Sequence, residues 1–143
     1  MKQQPESAES EPRLPGMLAR LAPKLDAADY VFVRLEDADV PPPAEDILAS
    51  FREDEGTTLI MTRIKAEALR VPAVGCFSKI TLGVYSSLQS VGLLAAVTAR
   101  LAEARIPVNV VSAIHHDHLY VPPHLARRAL ALLQDLASRS GST

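Results

Sequence analysis

The order of hydrophobic periodicities after residue 79 most constrains what this chain can fold into. In KITLGVY, residues 79–85, Ile80, Leu82 and Val84 alternate with Lys79, Thr81, Gly83 and Tyr85, the period-two pattern of a strand with one buried face. VGLLAAVTARLAEAR, residues 91–105, switches to three-four spacing through Val91, Leu94, Ala95, Thr98, Leu101 and Ala102, which predicts an amphipathic helix with Ser90 as its N-cap. VNVVSAI (108–114) and HLYV (118–121) return to strand. Pro123 then opens a last helix, in which Leu125, Ala129, Leu132, Leu133 and Leu136 form one apolar stripe. Strand, helix, strand, strand, helix is the ferredoxin-like βαββαβ order without its last strand. That strand must come from elsewhere.

One candidate donor is the first half. Leu14, Met17, Leu18, Leu21 and Leu25 recur at helical spacing, with Pro23 ending the helix early. YVFVRL (30–35) is β-branched and aromatic, so it reads as a strand, and the proline-rich segment after it as a loop. In ILASFREDEGTTLIM two apolar runs flank a turn at Glu55 and Gly56, a hairpin, and RIKAEALR (63–70) is a short helix closed by Pro72. No clear helix separates the first two strands of this half. A weak repeat relates the halves: EGTTLIMTRIKAEAL from Glu55 and HDHLYVPPHLARRAL from His116 both read turn, strand, helix, placing Ile64 on Leu125, Ala68 on Ala129 and Leu69 on Leu130. The expectation is therefore an α+β chain of two ferredoxin-like units in tandem with antiparallel sheets. Residues 1–13 form a polar tail that cannot bury enough to offset its ordering entropy, 14–72 a degenerate first unit, 73–137 the second unit and 138–143 a flexible end.

Composition narrows the partners. The net charge of −2 gives no general attraction for phosphate backbones, so no nucleic acid is expected. No apolar run approaches the roughly 20 residues of a membrane span, and the polar start lacks a signal peptide's apolar stretch, so no membrane partner is expected and the cytoplasm is the default address. Cys76 is the single cysteine; it excludes an internal disulfide and reads as a small core residue.

Two stretches carry candidate chemistry. In IHHDHLYVP (114–122), His116 and His118 are two apart and share a face when extended, with Asp117 pointing away; a third metal ligand could come from His124. No HExxH or cysteine pair is present, and the competing reading puts Asp117 in a hairpin turn with the histidines at its exposed end, so neither metal nor cofactor is expected. The other stretch is the loop from Ser86 to Gly92. It precedes a helix whose unpaired N–H groups and positive dipole end attract a carboxylate. There Ser87 can donate a hydrogen bond and Gly92 permits close approach, although the serines can equally serve only to cap the helix. The ammonium group of a free amino acid needs acidic acceptors, which Glu53, Asp54 and Glu55 beside Arg52 can supply; a charge run at a turn can also simply face water. Asn109 and Val111 lie on a second strand face with Thr81, Gly83, Tyr85, His118 and Tyr120. That mixed face calls for a cover, either the first unit or the second copy in a homodimer.

SSLQSVGLLAAVTARLAEARIPVNVVS, taken with PKLDAADYVFVRL, FREDEGTTLIM and HHDHLYVP, resembles the ACT domain, a small-molecule regulatory module. More narrowly, residues 15–137 resemble short stand-alone bacterial proteins with paired ACT-like units, relatives of amino-acid sensors. The resemblance implies no catalysis, a small-molecule effector that is an amino acid or similar, and a site at the boundary of two units. The residues expected there are Ser86, Ser87, Leu88, Val91, Gly92, Leu93, Asn109, Val111, Glu53, Asp54, Glu55 and Thr57. The alternatives are a metal-dependent enzyme built on His116, Asp117 and His118, and a purely architectural dimer.

Overall fold

Two long antiparallel strands organise the chain, and each serves both halves. The computed structural model describes residues 13–142. A short helix α1 (Leu14–Ala19) leads into β1 (Pro23–Leu35), then the hairpin β2 (Ala49–Glu53) and β3 (Gly56–Thr62), helix α2 (Arg63–Ala68) and β4 (Ala73–Leu82). Helix α3 (Leu93–Glu103), the hairpin β5 (Asn109–Ser112) and β6 (Asp117–Val121), and helix α4 (Ala126–Ser140) complete the order. All six strands join one sheet in the order β2-β3-β1-β4-β6-β5. The neighbouring strands are antiparallel throughout.

This order contains the ferredoxin-like arrangement twice. In the second half β4, α3, β5, β6 and α4 are completed by β1, whose start pairs Pro23 with Leu82 and Leu25 with Ile80. In the first half β1, β2, β3 and α2 are completed by β4, through Phe32 opposite Val74 and Val33 opposite Ala73. The strand missing from the second half is thus β1. Register shifts between Leu25 and Asp29 and between Tyr30 and Phe32 mark where β1 passes from one half to the other. Between β1 and β2 the first half has no α-helix, only a single 3-10 turn at Ala44–Asp46.

Side-chain alternation sorts the core into three clusters. On one face Ile80, Leu82, Leu119 and Val121 are covered by Met17 and Leu18 of α1, Val97 and Leu101 of α3, and Ala129 and Leu133 of α4. Leu82, Val97, Leu101, Leu119 and Leu133 are fully buried, and each contributes roughly 1.5–3 kcal/mol of hydrophobic stabilisation. Val31, Val33, Leu59 and Met61 form the second cluster with Ala66 of α2. The third cluster is made by strands alone: Tyr30, Ile60 and Tyr120, with Phe32, Phe77 and Val111 packed against them on the face the helices leave uncovered.

Several elements differ from the periodicity reading. Helix α1 ends at Ala19, and Leu25 belongs to β1, because Ala22 takes a left-handed φ of 43° that turns the chain into the sheet before Pro23. β4 begins at Ala73 and stops at Leu82, so Gly83, Val84 and Tyr85 have left the strand. The α3 N-cap is Gly92, not Ser90. The repeat holds for elements, since α2 and α4 take equivalent places, but not for core positions: Ile64 and Ala68 are exposed while Ala129 is buried. The amino-terminal tail, up to residue 12, lies outside the described residues, and α4 continues past residue 137 to Ser140.

Candidate functional site

The loop leaving β4 is pinned at its start by the chain before β1. The Gly83 amide donates to the Ala22 carbonyl at 3.1 Å and the Val84 amide to the Leu21 carbonyl at 3.3 Å. From there the backbone crosses the sheet end as far as Gly92, whose φ of 98° is left-handed and so favours glycine. A Cβ on Gly92 would also stand 3.1 Å from the Leu14 side chain, so α1 packs directly against the beginning of α3. Because Gly92 has no side chain, no side-chain cap bonds the first amides of α3. Gly92 and the first-turn residues Leu93, Leu94 and Ala95 line a small cavity.

That cavity, of about 120 Å³, is lined by Ser86, Ser87, Leu88, Ser90, Gly92, Leu93, Leu94 and Ala95 from the loop and helix, and by Ser112, Ala113 and Asp117 from the β5–β6 hairpin. Asp117 is its one charged residue, only 7% exposed. The Ser86 hydroxyl donates to its Oδ2 at 3.4 Å. Asp117 was expected in the hairpin turn; instead it opens β6 opposite Ser112, and the turn is made by residues 113–116, closed by the Ala113 amide donating to the His116 carbonyl at 3.1 Å. Its parity explains the burial, because Asp117 shares a face with Leu119 and Val121, which point into the helix-covered core. A buried carboxylate beside a helix start sets a negative group and a row of amide donors against one small space.

The expected site residues separate into three places. Ser86, Ser87, Leu88, Gly92 and Leu93 line the cavity. Val91 is beside it but 82% exposed. Asn109 and Val111 pair with Tyr120 and His118 and so belong to the strand-only face. Glu53, Asp54, Glu55 and Thr57 lie at the β2–β3 hairpin, toward the opposite edge of the sheet, where with Glu36, Asp37 and Arg52 they line a groove of about 680 Å³. Within one chain the two sets do not meet. Asp117 is absent from the expected site residues; the alternation in DHLYV is the signal that places it on the core face.

The histidines disperse. His118 Nδ1 shares a hydrogen bond with Thr81 Oγ1 at 3.0 Å, and burial, with Lys79 and His116 nearby, holds its pKa below the ordinary value. His116 Nδ1 is buried with no hydrogen-bond partner among the described residues, His115 meets the Tyr85 ring at 6.3 Å, and His124 sits in the 3-10 turn Pro123–Leu125. Among the described residues no group of three or more His, Cys, Asp or Glu side chains comes together in a way that could hold a metal ion. On the same open face Asp26 accepts the Ala28 amide at 3.0 Å and the Tyr30 hydroxyl at 2.7 Å, and pairs with Lys79 at 3.3 Å. The Ala28 amide, with Tyr30 and Lys79, outweighs desolvation and lowers the Asp26 pKa. Burial and the Asp26 carboxylate push the Tyr30 phenol well above its usual range. This network satisfies itself.

The fold is ferredoxin-like, with a cavity of about 120 Å³ beside the start of α3. A family model described as the ACT domain matches residues 9–78. The chain is also similar to a Vibrio cholerae protein of unknown function, described as a possible transport protein, at 36% identity over 85% of this chain and 93% of that one, with a TM-score of 0.72. The chain belongs to the ACT-domain family. Two more distant likenesses show the fold alone. An Agrobacterium tumefaciens protein is 20% identical over 80% of this chain and 87% of that one, with a TM-score of 0.66. The regulatory subunit of aspartate kinase from Thermus flavus is 14% identical over 80% of this chain and 95% of that one, with a TM-score of 0.57. No curated protein matches the chain. The family match falls mainly on the first unit, the one read as degenerate. No helix among the described residues is long and apolar enough to cross a membrane.

Proposed function

We propose that this chain is a non-enzymatic regulatory protein of the cytoplasm that binds a free amino acid at the start of α3, with its two units at residues 14–72 and 73–137. Membership of the ACT-domain family supports a regulatory, ligand-binding role, and the likeness to an aspartate kinase regulatory subunit agrees with it. The observation that carries the amino-acid reading is the pairing of uncapped α3 amides with the buried Asp117 carboxylate across one cavity of about 120 Å³. An α-carboxylate suits the amides, as at other helix starts, and an α-ammonium suits Asp117. Ser86 and Ser87 add hydroxyls to orient the head group.

The cavity holds a zwitterionic head and little more, so a side chain projects outward. Around its mouth Leu88, Val91 and Ile114 are 70%, 82% and 64% exposed. A second copy in a homodimer would cover these together with the ligand's side chain, and Glu53–Thr57 of that copy are candidates to approach the site. Ligand would then favour the assembled state through its higher affinity for it.

Thermal shift against the twenty common amino acids tests the reading. A binder at a hundred times its dissociation constant stabilises by about 2.7 kcal/mol, and Asp117→Asn, which keeps the side chain's shape but not its charge, removes that shift. No shift with any amino acid, or an equal shift in the variant, rejects the site.

A further inference from the structure

Beside α1 lies a second cavity that the reading above does not use. It holds about 480 Å³ and is lined by Arg13, Gly16, Met17, Arg20, Gly83, Val84 and Tyr85. That volume is within the range of metabolite pockets and about four times the cavity at α3. Three features of its walls point to one chemistry.

The first is charge. Arg13 and Arg20 flank α1 as its N-cap and C-cap, about 10 Å apart along the axis. Neither guanidinium pairs with a carboxylate among the described residues, whereas Arg63, Arg100 and Arg139 all do. Each can therefore offer its full fork of donors to an anion, for which phosphate is the best geometric match. The second is a ring. Tyr85 is 65% exposed beside the cavity, its other neighbour being His115 in an edge-on contact. An exposed phenol ring is a stacking platform for a planar base. The third is an absence of bulk. Gly16 stands inside a helix, where glycine weakens the helix relative to alanine, yet a Cβ there would meet nothing within 4 Å. Among the described residues no contact requires glycine at this position, which leaves the space above it open.

We infer that this cavity binds a nucleoside phosphate, with Arg13 and Arg20 on the phosphates, the base on Tyr85 and the space above Gly16 filled by the ligand. The loop gives this site a route to the first, because Tyr85 lines one cavity and Ser86, the next residue, lines the other. The inference does not depend on the amino-acid reading.

Titration calorimetry of the full chain with AMP, ATP, adenosine and inorganic phosphate, at low salt, tests it. AMP and ATP bind, and adenosine and phosphate each bind at least about tenfold more weakly than AMP, since each supplies half of the contacts. Arg20→Ala and Arg13→Ala each weaken AMP by about tenfold, as expected for loss of a charge-assisted contact. Gly16→Leu abolishes binding while far-ultraviolet circular dichroism stays native, because its side chain enters open space. Arg127→Ala on α4 leaves affinity unchanged. The inference is overturned if neither nucleotide binds at about 1 mM, if Gly16→Leu binds as well as the parent, if inorganic phosphate matches AMP, or if Arg127→Ala weakens binding as much as Arg20→Ala.

Discussion

Gly83→Ala probes the sharing of β1 between the two halves at a single atom. A Cβ at position 83 would lie 2.9 Å from the Ala22 carbonyl oxygen and 3.0 Å from the Ala22 Cβ. Both are atoms of the turn that feeds β1, and the same carbonyl accepts the Gly83 amide at 3.1 Å. Relief therefore requires moving the start of β1 away from β4, and overpacking of this kind destabilises by about 1–3 kcal/mol. For a chain of 143 residues the midpoint should fall by about 3–4 °C per kcal/mol. Gly16→Ala is the matched control. It is the same chemical change in open space within α1, so it should stabilise by about 0.5–1 kcal/mol. Urea denaturation followed by circular dichroism, with the slope of the transition unchanged, reads both. Opposite signs are expected. If Gly83→Ala is as stable as the parent, Ala22 does not pack on Gly83, and the placement of β1 as the last strand of the second half is wrong.

Other consequences follow from the same coordinates. Expressed separately, residues 1–72 and 73–143 should each stay unfolded by circular dichroism and fold when mixed, because each lacks a strand that the other carries; independent folding of either would contradict the shared sheet. Tyr30→Phe removes the hydroxyl that donates to Asp26 at 2.7 Å and should destabilise by about 1 kcal/mol in urea denaturation. His118 has a depressed pKa in the folded chain, so the unfolded state takes up its proton first as pH falls below 6.5. Stability present above that value is lost on acidification. His118→Gln should flatten the fall in melting temperature between pH 7 and pH 5, and an unchanged slope would show that His118 is not the titrating group. Leu119→Ala, at a fully buried position, should destabilise by about 2–5 kcal/mol in the same denaturation assay.

Most of the second half was legible because its elements are amphipathic with one dominant period. Ile80, Leu82, Leu119 and Leu133 fall in the core, as their spacing requires, but α3 buries Leu93, Val97 and Leu101 and leaves Val91, Ala95 and Ala102 of the expected stripe exposed. Boundaries were lost where geometry rather than polarity decides. Leu25 fits the helical stripe before it, and only the left-handed turn at Ala22 assigns it to β1. Ser90 has the chemistry of an N-cap, but the chain reverses at Gly92, whose positive φ no hydrophobic pattern reveals. Ile64 shows the limit of a short repeat: it aligns with Leu125 yet is 70% exposed, since α2 presents Ala66 to the sheet. In the candidate site the serine loop was readable from the helix that follows it. Asp117 was legible only in the alternation of DHLYV, which puts its carboxylate on the core face; the histidines on either side suggest metal chemistry instead.

The central claim is that an amino acid lies between the α3 amides and Asp117, and amide chemical shifts in a ¹⁵N-labelled chain test it most directly. On addition of the amino acid that gives the largest thermal shift, the account predicts that the greatest perturbations fall on Leu93, Leu94, Ala95 and Asp117, and vanish when the same ligand is N-acetylated. Perturbations centred on the Glu53–Thr57 hairpin, or unchanged by acetylation, would contradict it.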